Sequence, residues 1–166
     1  DLVKDLPGNN EAKAETIDNN LQHEIVKKMS SNSVYYGKLS EMLKKIILQR
    51  KIEAMSYEEY LRQVVELAEA ILHPENSGSY PDGIKDSAAR RALYDHFEAN
   101  FELTIDVDGA IRVSIRPEWK RNFQKQQRIR LAIYQKLLLH SYSEDKATEE
   151  TQNVFDIAQR QEEYDV

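Results

Sequence analysis

Cations crowd one short stretch of this chain, and cations at that density attract polyanions. Arg116–Lys136 reads RPEWKRNFQKQQRIRLAIYQK. It holds Arg116, Lys120, Arg121, Lys125, Arg128, Arg130 and Lys136 against a single acid, Glu118, for a net charge of +6. The whole chain carries −6, so the remainder carries −12. A basic island in an acidic protein asks for phosphates or for an acidic partner surface. A solvated helix face would have the same composition. Trp119 is the only tryptophan and stands where a turn would feed a helix. An indole there can stack on a nucleobase or pack beneath the helix start. Packing is the expectation, because an exposed lone tryptophan is uncommon in a soluble domain.

Arg116, Trp119, Lys120, Arg121, Lys125, Arg128 and Arg130 are therefore the candidate DNA-binding or subunit-interface residues. Arg121, Lys125 and Arg128 stand at i, i+4 and i+7, which places them on one face if the helix includes all three. That face could meet phosphates along a duplex or an acidic patch on a protein. Contact of this kind is salt-sensitive and independent of base sequence.

Other chemistry is poorly provided for. The chain has no cysteine, which removes disulfides, thiolate zinc sites and cysteine nucleophiles. His23-Glu24 begins like a metalloprotease helix, but Lys27 occupies the position of the second histidine. His23, His73, His96 and His140 show no metal-ligand spacing, so no metal site is expected. Asp106 and Asp108 look like half of an acidic pair and are expected to be turn residues. Glu58-Glu59 fits the first turn of a helix, where acids suit the dipole. Tyr35, Tyr36, Tyr57 and Tyr60 are expected to pack at two helix starts. No Walker-type loop, GxSxG or GxGxxG occurs, and no apolar run reaches the roughly 18–20 residues of a membrane span.

Helices must position the basic segment. Gly (5) and Pro (4) are scarce in 166 residues, which favours long helices over many short strands. Residues 1–14 are polar and contain Pro7-Gly8, so they read as a linker or loose lead-in. This lead-in and the absence of an initiator Met suggest a fragment. From Glu15, Ile17, Leu21, Ile25 and Met29 form one stripe. A second helix is expected over about 34–53, on Tyr35, Leu39, Leu43 and Ile46. A third opens with the capping box Ser56-x-x-Glu59 and ends at His73-Pro74. A fourth covers about 84–98 and a fifth about 122–140. Ser141–Val166 carries eight acids against Lys146 and Arg160, an acidic tail in which Val154, Phe155, Ile157 and Ala158 could support a short helix.

Phe101–Ile115 resists the pattern. Leu103, Ile105 and Val107 alternate before Asp108-Gly109, and Ile111, Val113 and Ile115 alternate after it. Period and propensity read this as a β-hairpin. A helix through Leu103, Val107, Ala110, Ile111 and Ser114 is the alternative, at a cost of about 1 kcal/mol for Gly109. The fold class expected is mainly α: one domain, a bundle of about five helices over 15–140, with a possible β-hairpin at 101–115.

Several runs taken together resemble a known family. They are Tyr35-Tyr36, the helix end Gln49-Arg50, Tyr57-Glu58-Glu59-Tyr60-Leu61, Arg91-Ala92-Leu93-Tyr94-Asp95, and Trp119 before a basic helix. In this order, over about 15–139, they resemble the C-terminal domain of the R (motor and endonuclease) subunit of type I restriction enzymes. Two departures stand out. His96-Phe97 replaces the usual Asn-Leu after Ala-Leu-Tyr-Asp, and Arg121 replaces the glycine of Trp-Arg-Gly-Asn.

The resemblance implies a helical fold, including the segment before Trp119. It implies a non-catalytic domain that docks the motor on the methyltransferase core and contacts double-stranded DNA. Partners would be the methyltransferase (M) and specificity (S) subunits, in the cytoplasm. The parent would be an ATP-dependent site-specific deoxyribonuclease using ATP and Mg, with neither cofactor bound by these residues. A stand-alone helical nucleic-acid-binding module and a protein-only adaptor are the competing readings.

Overall fold

The computed structural model describes residues 8–166, so residues 1–7 of the expected linker lie outside it. The described residues form seven α-helices and no strand. They divide into two compact units, one ending at Tyr80 and one beginning at Pro81. A single bundle of about five helices is thus corrected to two smaller helical units.

The first unit is built from α1 (Asn10–Lys28), α2 (Ser33–Lys51) and α3 (Tyr57–Leu72), each touching the other two. Helix α1 begins at Asn10, inside the stretch expected to be linker, because Asn9 caps it by accepting from the Ala12 N–H at 2.9 Å. Asn32 and Ser56 cap α2 and α3 in the same way. The core is the expected stripe: Ile17, Leu21 and Ile25 against Leu39, Leu43, Val64, Leu67 and Ile71. Tyr35 donates its hydroxyl to the Ala70 carbonyl at 2.7 Å and satisfies an orphan acceptor near the end of α3.

The second unit holds α4 (Ala88–His96), α5 (Phe101–Ser114), α6 (Phe123–Leu139) and α7 (Glu144–Gln159). Helix α5 replaces the β-hairpin. Asn100 caps it, and Leu103, Thr104, Val107, Asp108, Ile111 and Ser114 are buried at helical spacing. Alternation would instead have buried Val113, which is 73 % exposed. Two facts decide the contest. The three-and-four stripe packs against both α4 and α6. Asp108, which a hairpin would place in a turn, is fully buried with partners on three sides.

The acidic stretch 141–166 is no tail. Ser143 caps α7, Glu144 and Asp145 occupy the dipole-favoured first turn, and Ala147, Thr151, Val154, Phe155 and Ala158 line its buried side. Glu144, Asp145 and Glu149 face outward, so net charge concealed an amphipathic helix. Helix α7 packs on the basic helix α6, and Tyr164 beyond it is fully buried.

Candidate basic interface

The cations of 116–130 divide into those used inside the fold and those left outside. A 3₁₀ turn, Trp119–Arg121, precedes α6 and is entered through Glu118 in the left-handed region at φ 61°. Arg121 has no such conformation, so an arginine at this position carries no left-handed backbone strain. Trp119 is 1 % exposed. Its indole N–H donates to the Tyr164 carbonyl at 2.8 Å, and its ring meets Phe155 edge-on with centroids 5.9 Å apart. Trp119 is thus a core post and does not offer a stacking face.

Most neighbouring cations are occupied. Lys120 pairs with Asp165 and donates to the Gln161 carbonyl at 3.1 Å. Arg116 donates to the Val113 and Ile115 carbonyls at 2.8 and 2.7 Å, closing the end of α5. Lys125 turns back to the Pro117 carbonyl at 2.7 Å. Arg130 lies with its guanidinium carbon 4.0 Å from the Phe155 ring centroid. Arg121 and Arg128 are exposed, and their side chains make no hydrogen bond or ion pair among the described residues.

The expected ladder of Arg121, Lys125 and Arg128 on one helix face does not form. Asn122 is the N-cap of α6, so Arg121 belongs to the turn before the helix. The short polar side chain of Asn122 accepts from the Lys125 N–H at 3.0 Å, which starts the helix at Phe123, two residues too late to include Arg121.

Comparison with protein-family models, with curated proteins and with solved structures finds no match to this chain.

The most constrained ionisable groups lie away from the basic segment. In the first unit Asp18 (α1) receives Arg50 (α2) at 2.7 Å and the Tyr60 hydroxyl (α3) at 2.6 Å. In the second, Asp108 receives Arg90 at 2.8 Å, Arg112 at 2.9 Å and the Tyr164 hydroxyl at 2.7 Å. Burial pushes the Asp108 carboxyl up, but hydrogen bonds from Arg112, Tyr164 and Arg90 outweigh it and hold it below its ordinary value. Burial and the adjacent carboxylates raise the hydroxyls of Tyr60 and Tyr164. Both carboxylates are ringed by donors, and Asp108, held below its ordinary value, has no exposed surface. They hold structure and offer no base to a substrate.

Three histidines pair with acids. His96 bonds Glu150 at 2.7 Å across α4 and α7, and His140 bonds Asp106 at 2.7 Å beside α5. His73 approaches Glu75 at 3.2 Å. Among the described residues no three His, Asp or Glu gather as a metal site. No described helix is long and apolar enough to cross a membrane. Neither Asp–Arg–Tyr joint was anticipated from sequence. Only Asp108–Arg112, at i, i+4, had a visible spacing.

Proposed function

We propose that this chain is a non-catalytic assembly domain of the R subunit of a type I restriction enzyme, docking the motor on the methyltransferase core. The supporting observation is where the residues of the family resemblance lie. Tyr35, Arg50, Tyr60 and Trp119 are buried joints of the two units. They are the kind of residue a fold retains, so the resemblance rests on architecture. ATP and Mg chemistry belongs to other parts of the parent enzyme, an ATP-dependent endonuclease acting in the cytoplasm. The partners are the M and S subunits and double-stranded DNA.

Arg121 and Arg128 carry the DNA contact in this reading. They are exposed and uncommitted among the described residues, so they reach phosphates without breaking an internal bond. Two contacts imply a slope of about −1.8 in log affinity against log salt. Fluorescence anisotropy of an arbitrary duplex at two salt concentrations tests this. Steep weakening with salt, flattened in the double variant R121E/R128E, is expected; no binding at low salt removes DNA from the proposal.

A protein-only adaptor is the second reading. It is favoured by the internal engagement of Arg116, Lys120 and Lys125, which leaves few cations for a duplex.

A further inference from the structure

Arg130 has a packing environment without the partner that such an environment demands. Arg50 offers the contrast: its guanidinium Nη atoms reach Glu11 at 2.6 Å and Asp18 at 2.7 Å. In both arginines Nε is sealed from solvent without an acceptor. Among the described residues the Arg130 fork meets no carboxylate, hydroxyl or carbonyl at all. Stacking on Phe155 at 4.0 Å fixes its plane and leaves acceptors to approach in that plane. A partly desolvated guanidinium lacking an acceptor is costly, whereas one bound to a carboxylate is favourable.

Arg130 lines a groove of about 450 Å³ between α6 and α7, with Gln127, Leu131, Tyr134, Thr148 and Gln152. Arg130 is the one formal charge in that lining. We propose that this groove takes a protein segment that presents a carboxylate, with Arg130 as its anchor. Leu131, 56 % exposed, supplies apolar contact, and the Gln127 amide can bond a peptide backbone. A duplex is disfavoured, because α7 carries Glu144, Asp145 and Glu149 and would repel a row of phosphates. A single carboxylate meets the arginine and avoids that repulsion. The proposal deepens the assembly reading and rests on it for the identity of the partner.

The test uses the full chain, labelled with ¹⁵N, and two capped tripeptides, acetyl-Leu-Glu-Leu-amide and acetyl-Leu-Gln-Leu-amide. The Arg130 Nε–Hε signal is followed during titration. The Glu peptide should shift it saturably, with the Gln peptide at least about tenfold weaker, as loss of a charged hydrogen bond requires. The variant R130K keeps the charge and loses the planar fork, and should weaken the Glu peptide about tenfold. Equal response to both peptides, or the same shift from sodium chloride at matched ionic strength, overturns the proposal. So does a duplex that moves the Arg130 signal at lower concentration than the peptide. Both peptides act on the unaltered chain, so a variant that fails to fold leaves the result readable. Binding to a methyltransferase core is a separate measurement, so the groove and the assembly reading fail independently.

Discussion

The two helical units solve one problem with the same three residue types. Each buries an aspartate, clamps it with arginine, and closes it with a tyrosine hydroxyl whose ring lies beneath the guanidinium. The Arg50 to Tyr60 distance is 5.3 Å and the Arg112 to Tyr164 distance 5.2 Å. They differ in where the parts come from. Asp18, Arg50 and Tyr60 lie on α1, α2 and α3, one per helix, so this joint staples a closed three-helix unit. In the second unit Arg112 lies on the same helix as Asp108, Arg90 comes from α4, and Tyr164 comes from the segment after α7. The joint then extends outward, as Glu163 accepts from Arg112 at 2.8 Å and from the Ser87 hydroxyl at 2.7 Å. The first unit is locked by its helices, while the second depends on residues 161–166, beyond its last α-helix.

Deleting 161–166 should break that comparison hardest. Trp119 would lose its acceptor, Asp108 its hydroxyl partner and Arg112 its second carboxylate. The expected cost is about 4 kcal/mol or more, enough to unfold a marginal unit. Hydrogen exchange should rise across 81–160 and stay unchanged across 10–72. A uniform rise would mean that the two units are one cooperative body.

Single aspartates come next. Asp108→Ala strips Arg90 of its carboxylate, Arg112 of one of its two and the Tyr164 hydroxyl of its acceptor, whereas Asp18→Ala leaves Arg50 still holding Glu11. Both should cost about 3–5 kcal/mol, with Asp108 the larger. Urea unfolding of each variant measures the order, and a larger loss at Asp18 would reverse the comparison.

Acid offers a gentler probe. The Asp108 carboxyl is held below its unfolded value, so the unfolded chain takes up the proton first. The stabilisation is present above about pH 4 and is lost as pH falls through the folded value. In Asp108→Asn the second unit should be less stable at neutral pH and lose less on acidification. An unchanged acid limb would show that other carboxylates control it.

The smallest stability effect should come from R121E/R128E. These side chains are exposed and make no bond among the described residues, so unfolding free energy should stay within about 0.5 kcal/mol of the parent.

What could be read from the chain follows from these contrasts. Stripes such as Ile17, Leu21 and Ile25 announced the first unit, because an apolar residue every turn has one economical arrangement. Capping by Ser56 was equally plain. Helix α5 was misread by propensity, since β-branched Ile105, Val107, Ile111 and Val113 favour a strand until Asp108 meets Arg112 one turn along the same helix and Arg90 from α4. Helix α7 was legible only as a short piece around Val154, Phe155, Ile157 and Ala158, because its acids hid the first two turns, where Ala147 and Thr151 continue the buried side. Of the candidate contact residues, Trp119 was expected to pack and does. The internal duties of Arg116, Lys120 and Lys125 were illegible, because their acceptors are backbone carbonyls and, for Lys120, the Asp165 carboxylate, which only the folded chain places.

The proposed assembly role is tested most directly by mixing the full chain with a purified type I methyltransferase core and following sedimentation velocity. The account predicts a faster-sedimenting complex of defined stoichiometry that forms without ATP, Mg or DNA. Independent sedimentation of the two at micromolar concentration would contradict it.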